Sequence, residues 1–243
     1  MRFKGDYHTH SKYSDGRGTV EEMVAAAAKC GLAEIGLADH GPNNIGTGVK
    51  NGQSLLKVQA ELAGLELQNP GMKLLSGVEA NIISLDGTID VERDVLEQLD
   101  YLLVGLHPNV VPKGPGGLSW VVGNQAPAVM RGYKSRIKNR NTKALVGAIH
   151  RYEALAVTHP GLKMEIDIPE VARACEARNT AWEINSGHKH PGYSAVLEAA
   201  SSGVDFIVNS DAHFPKTVGK LEYGSALLEK AKVPLERIIN AME

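Results

Sequence analysis

Hydrophobic positions along this chain follow two alternating patterns: short continuous apolar runs, and longer stretches with one apolar face at helical spacing. The chain opens with an extended segment, Asp6-Tyr7-His8-Thr9-His10. Thr19-Val20-Glu21-Glu22 then has the form of a capping box, and Val20, Met23, Val24 and Ala27 share one helical face behind it. Gly31 is placed to end that helix. Apolar runs predict further strands over 33–38, 73–78, 100–106, 154–158, 180–184 and 204–208. Helical spacing predicts helices from a Ser54 cap through Leu65, over 91–99, from Thr142 through Ala148, and from Pro169 to about Arg178. Three more are expected over 195–201, 225–230 and 235–242.

Strands and helices in seven alternating units predict a parallel α/β fold. Side chains able to bind metal close the strand in six of the seven units. A barrel of parallel strands gathers those ends into one rim, whereas an open sheet would spread them along a line. The expected architecture is therefore an α/β TIM-like barrel over residues 1–243, with its site at the C-terminal rim of the strands.

Composition narrows the function classes. A hydrophobic content of 43% over 243 residues allows a full core, and a net charge of −2 argues against generic nucleic-acid binding. Cys30 and Cys175 are isolated on helical stretches and suggest neither a disulfide framework nor a zinc knuckle. The start has no apolar h-region and no apolar run approaches ~18 residues, so a soluble, cytoplasmic protein without membrane contact is expected.

The candidate chemistry lies in nine residues. His8 and His10, two apart on an extended segment, project to the same side and can reach one ion; Asp15 adds an oxygen just beyond. His40, Glu79, His107, His159, Asp211 and His213 close later strands. A lone histidine is more often a satisfied core residue than a ligand. Nine ligand-type residues at one rim exceed the needs of one tetrahedral zinc and suit two or three ions, with Glu79 or Asp211 able to bridge a pair.

His-Thr-His with Ser-Asp-Gly, then Ala-Asp-His-Gly, Gly-Val-Glu-Ala-Asn, Gly-Leu-His-Pro, Thr-His-Pro-Gly, Glu-Ile-Asn and Ser-Asp-Ala-His follow one another from His8 onward. In that order they resemble the PHP (polymerase and histidinol phosphatase) domain family over essentially the whole chain. Gly77 to Asn81, continued through Asp86-Gly87 and Ile89-Asp90, is most similar to the stand-alone histidinol-phosphatase-like branch. The resemblance implies a distorted (β/α)7 barrel with three divalent ions, zinc, manganese or iron. It places His8, His10, Glu79 and Asp211 on the first ion. Glu79 would bridge to a second held by His107 and His159, and Asp15, His40 and His213 would hold the third. Asp15 stands where some relatives have histidine, and a carboxylate there favours manganese or iron over zinc.

The activity implied is that of a metal-dependent phosphoesterase. It would hydrolyse a small phosphorylated metabolite, with histidinol phosphate one candidate, through a metal-bridging hydroxide. Glu79 and Asp211 act through the ions, while Asp211, His188 and His190 are the candidates for a general acid. His188 could equally contact substrate, and a solvated loop fits both loop histidines as well. No acidic residue occurs from Tyr101 through Tyr152, while Arg131, Lys134, Arg136, Lys138, Arg140 and Lys143 crowd together. This basic stretch belongs to an insertion at about 108–140 that also carries an exposed-looking Trp120. Following His107, it reads as a lid that grips phosphate through Arg131, Lys134, Arg136 or Arg140; an oligomer contact and a solvated face are the other readings. An amidohydrolase-type enzyme would place a bridging lysine where this chain has Glu79 and His107. A non-catalytic partner-binding module would have lost ligands, and none of the nine is missing.

Overall fold

A computed structural model describes residues 1–125 and 131–242, residues 131 and 132 by their backbone alone. The short strands β1 (Arg2–Phe3) and β9 (Ala241–Met242) pair antiparallel. Between them lie seven parallel strands, hydrogen-bonded in chain order: β2 (Gly5–Asp6), β3 (Glu34–Leu37), β4 (Lys73–Asn81), β5 (Tyr101–Gly105), β6 (Ala156–Val157), β7 (Ala181–Asn185) and β8 (Phe206–Asn209). Beyond β2 the chain stays extended, and Thr9 bridges Ala212 just past β8. There the His10 N–H donates to the Ala212 carbonyl at 2.9 Å and the Ala212 N–H to the His8 carbonyl at 3.2 Å. The last strand thus returns to the first at the histidine-bearing rim, giving a nearly closed, distorted (β/α)7 TIM-like barrel.

Parallel strands are buried on both faces, which is why they read as continuous apolar runs. Tyr7, Ala38, Leu103, Ala156, Ala181 and Ile207 pack together as one buried cluster. Helix α1 (Val20–Lys29) packs on β3 and α2 (Gly52–Leu65) in a cluster of its own, and a larger cluster joins the strands to α2, α3 (Arg93–Leu96), α4 (Gly117–Gln125), α5 (Arg131–Arg151), α6 (Ile168–Ala177), α7 (Tyr193–Ala200) and α8 (Glu222–Ala231). The capping box of α1 is formed: the Thr19 N–H donates to Glu22 Oε2 at 2.8 Å and the Glu22 N–H to Thr19 Oγ1 at 3.2 Å.

Five local expectations are corrected. Asn51, not Ser54, occupies the cap position of α2, and Ser54 lies in the first turn with its hydroxyl on Asn51 Oδ1. Only Arg93–Leu96 is helical within 91–99. The last segment is a 3-10 turn at Leu235–Arg237 followed by β9. Strand pairing and the Asn240 amide, which donates to the Gly5 and Val208 carbonyls, outweigh its helical pattern. Trp120 is fully buried rather than exposed: α4 packs it against α5, and its indole N–H donates to Asn141 Oδ1 at 2.6 Å. Helix α5 begins well before Thr142, so much of the basic stretch is helical.

Candidate metal centre

All nine candidate ligands meet at one rim, around Glu79 near the end of β4. Glu79 is fully buried, and five imidazoles approach it within 4 Å: His40 Nδ1 at 2.7 Å, His159 Nε2 at 2.9 Å, His8 Nε2 and His107 Nε2 at 3.3 Å, and His10 Nε2 at 3.9 Å. Asp211 Oδ1 lies 3.1 Å from His10 Nε2 and 3.5 Å from His8 Nε2. Asp15 Oδ1 lies 3.2 Å from His213 Nε2 and 3.9 Å from His40 Nε2. Donor atoms within 4.8 Å of one another form three overlapping groups: His8, His10 and Asp211; His40, Glu79 and His107; and His10, Asp15, His40 and His213.

Local backbone aims these groups. His159 and Asp211, each just past a strand end, have φ of +29° and +53°, a left-handed region that non-glycine residues enter at a cost of order 1–3 kcal/mol. Gly105 lets β5 run close to the centre, because a Cβ there would sit 2.8 Å from His107 Cε1 and 3.2 Å from Glu79 Oε1. Asp39 accepts from the Ser11 N–H, the Ser11 hydroxyl and the Ser14 hydroxyl, bracing the turn between His10 and Asp15. Asp6 accepts from the Ser210 N–H, the Ser210 hydroxyl and the Gly219 N–H, bracing the segment that carries Asp211.

Whether these residues fit metal ions can be judged from their unpaired atoms. Among the described residues, eight of the eleven buried side-chain N and O atoms without a hydrogen-bond partner belong to this cluster. They are His8 Nε2, His10 Nδ1, Asp15 Oδ1, His40 Nδ1, both Glu79 oxygens and both His107 nitrogens. Buried polar atoms are nearly always paired, so this concentration needs a partner that protein atoms do not supply. The short Glu79–histidine distances are too poorly aligned to be hydrogen bonds, so the carboxylate and imidazoles crowd a shared space. A divalent cation fits such a space, and the N and O donor set lacks thiolate, as suits zinc, manganese or iron.

Electrostatics agree. Burial alone would raise the Glu79 carboxyl, yet His8, His107 and His40 hold it well below the usual carboxylate range. Asp211 is likewise pulled well down against burial by His8 and His10. Burial works against protonating His8, but Glu183, Asp211 and Glu79 raise it well above an ordinary histidine. His213 rises to about 9 beside Asp15 and Asp211 despite burial, whereas burial takes His107 down to about 4.

A cavity of about 520 Å³ opens over the cluster, lined in part by Asp15, His40, His107, His159, Asp211 and His213. The sequence model of the PHP domain matches residues 6–210. The chain belongs to the PHP domain family. Relatives named "Probable phosphatase" include one from Tolumonas auensis, 26% identical over 99% of this chain and 90% of its own, and one from Caldicellulosiruptor saccharolyticus, 29% identical over 91% and 84%. A DNA polymerase/3′-5′ exonuclease of Bacillus subtilis is 27% identical over 99% of this chain but only 39% of its own length. Among solved structures, a putative histidinol phosphatase from Listeria monocytogenes superposes with a TM-score of 0.69 at 17% identity, covering 91% of this chain and 99% of its own. Histidinol phosphate phosphatase from Lactococcus lactis, complexed with zinc, L-histidinol and phosphate, gives 0.57 at 15% identity over 94% and 93%. At these identities the two structures share the fold.

Outside the nine candidate ligands, this PHP domain departs from the sequence reading. His188 lines the cavity, its Nε2 3.3 Å from Asp211 Oδ2. His190 does not: its Nε2 meets the Pro160 carbonyl at 2.9 Å and it faces a separate small cavity, so a catalytic part is not assigned to it. The basic side chains are spent elsewhere. Lys134 lies 3.9 Å from Glu165, Lys138 3.2 Å from Asp167, and Arg140 donates to the Gly116 carbonyl and Ser119 Oγ. Arg136 is exposed, and none of these four lines the metal cavity; the Arg131 side chain lies outside what the structure describes. Helix α5 turns Asn141, Thr142 and Leu145 into the fold, which leaves its basic positions to surface and inter-element contacts.

Two residues escaped the sequence reading. Glu183, fully buried on β7, accepts from four donors: His8 Nδ1 at 2.7 Å, the His159 N–H at 2.7 Å, Asn209 Nδ2 at 2.9 Å and Asn185 Nδ2 at 3.2 Å. Its place in Glu-Ile-Asn was visible, but its bond to His8, 175 positions away, was not. The other is Lys163, the single lysine in the lining of the metal cavity. No spacing rule marks it.

Proposed function

We propose that this protein is a metal-dependent phosphatase of small phosphorylated metabolites, working with two or three divalent ions held by the nine rim residues. One observation carries the reading: Glu79 has five imidazoles within 4 Å, yet neither of its oxygens is hydrogen-bonded. His8, His10 and Asp211 would hold one ion, Glu79, His107 and His159 a second, and Asp15, His40 and His213 a third. When bound, such ions supply charge neutralisation for a phosphate ester and a water acidic enough to attack phosphorus near neutral pH. The chain contributes the rest. Glu183 holds the proton of His8 on Nδ1 and so keeps Nε2 free toward the cluster. The cavity is of a size for a small ester, and His188, beside Asp211, adds a further polar side chain to its wall. The phosphatase names of the relatives and the zinc, L-histidinol and phosphate in the Lactococcus structure support this reading, and histidinol phosphate is one candidate substrate.

The test is a panel of phosphate monoesters on protein reconstituted with zinc, manganese or iron, with Glu79→Gln alongside. Hydrolysis of at least one ester is expected, falling at least about a hundredfold in the variant, which loses the carboxylate charge at the middle of the cluster that would hold the ions. A fully metal-loaded protein that turns over no monoester would overturn the proposal.

A further inference from the structure

The electrostatic character of the cavity beyond the metal ligands bears on which phosphate ester it takes. Its lining holds two carboxylates, Asp15 and Asp211, and both belong to the metal cluster. No other acidic side chain faces it among the described residues, and 101–152, which supplies Leu106 to Asn109 of the wall, contains none at all. Lys163 is the opposing charge. It is exposed, and no described carboxylate lies within 4 Å of its ammonium, unlike Lys134 and Lys138. It also lines a second cavity of about 170 Å³ with Lys134, Lys138, Tyr133 and Glu165. Lys163 therefore stands where the metal cavity meets a groove of net positive charge.

We infer that Lys163 determines specificity: it selects phosphate monoesters whose remainder carries a second negative group, such as a carboxylate, and rejects those whose remainder carries an ammonium. The inference rests on the phosphatase reading. A substrate ammonium entering this cavity would meet Lys163 and find no carboxylate outside the metal cluster, whereas a carboxylate would gain a charge-assisted hydrogen bond. Esters with a cationic amine are then poor substrates, which narrows the candidates above by removing L-histidinol phosphate.

Phosphoglycolate and phosphoethanolamine are two-carbon monoesters that differ in the sign of the remainder. On metal-loaded wild-type protein, kcat/KM for phosphoglycolate should exceed that for phosphoethanolamine by about tenfold to a hundredfold, the scale of one charged hydrogen bond. Lys163→Met should bring the ratio to within about threefold and Lys163→Glu should invert it, both keeping turnover of p-nitrophenyl phosphate, which lacks the distal charge. Calorimetric binding of the two esters should follow the same order, and that readout does not depend on turnover. Normal p-nitrophenyl phosphate hydrolysis with an unchanged ester ratio in both variants would overturn the inference and leave the phosphatase reading intact. So would rejection of both two-carbon esters by a wild-type protein active on p-nitrophenyl phosphate. Failure on every ester would remove the phosphatase reading; equal binding of the two esters would then remove Lys163 as well.

Discussion

Glu183→Gln isolates the part of the centre that holds ligands in place without touching the ions. The substitution keeps volume and shape, but the four groups around Glu183 are all donors: His8 Nδ1 and Asn209 Nδ2 at one oxygen, the His159 N–H and Asn185 Nδ2 at the other. A glutamine must present its NH2 to one of those pairs. Turned toward His159 it faces a backbone N–H that has no alternative, at a cost of about 1–3 kcal/mol for an unmet donor. Turned toward His8 it has a way out, because the imidazole can move its proton from Nδ1 to Nε2. That escape disables the ligand: Nε2, 3.3 Å from Glu79 and 3.5 Å from Asp211, would carry hydrogen where a lone pair is needed.

The expected result is a folded protein with weakened metal binding. Loss of such an outer partner typically costs tenfold to a hundredfold in affinity, or about 1.4–2.8 kcal/mol. Competition with a chromophoric chelator measures the affinity, and nitrogen chemical shifts of His8 in the metal-free protein, taken at a pH above its raised titration, report which ring atom holds the remaining proton. Wild-type metal affinity together with an unmoved His8 proton would refute the tautomer reasoning. Loss of affinity with an unmoved proton would point instead to the missing charge.

Elemental analysis of purified protein should find two or three ions per chain, and one ion or fewer after reconstitution would exclude a multinuclear centre. Metal loading near neutral pH should release protons, because His8, His40, His159 and His213 are all shifted upward in the metal-free protein, His213 to about 9, and ions must displace what they hold. Apparent affinity should accordingly rise with pH toward 9, and calorimetry in buffers of unlike ionisation enthalpy would detect the release; none would contradict the assignment. Gly105→Ala should lower both stability and metal content, since the added methyl would sit 2.5 Å from the buried Thr158 Oγ1 as well as against His107 and Glu79; unchanged metal content in the folded variant would count against crowding at the centre. Trp120→Ala should cost about 3–5 kcal/mol in denaturant unfolding, as expected for a buried tryptophan, and a loss below about 1 would return Trp120 to the surface.

The sequence made the rim legible because each barrel strand ends in a short motif, and parallel connectivity alone then brings the ends together. His10 and His213, whose ring centres lie 4.4 Å apart, need no knowledge of each other to meet; β2 and β8 only have to close the barrel. Glu183 was harder, because its meaning lies in four donors from four stretches of chain, and a buried strand glutamate has no period that announces them. Trp120 failed for a related reason. Glycines at 114, 116 and 117 read as an open loop, while the partner that buries its indole, Asn141, lies 21 residues on in a helix whose start the polar pattern concealed. The basic stretch misled because charge composition does not say which way a helix turns. Lys138 and Arg140, only two positions apart, go to the N-cap residue of α6 and to the start of α4.

The same contrast explains why the centre is built largely past the strand ends. A regular strand alternates its side chains and can send at most every second one inward. His159 and Asp211 leave that regime through left-handed backbone, which re-aims each side chain at a cost the surrounding bonds must offset. The bonds are in place: Glu183 holds the His159 N–H at 2.7 Å, and Asn185 Nδ2 donates to Asp211 Oδ2 at 2.9 Å. Glu183 and Asn185 both lie on β7, which among the described residues carries none of the nine candidate ligands, so the strand without one is the strand that holds His159 and Asp211 in their strained conformations.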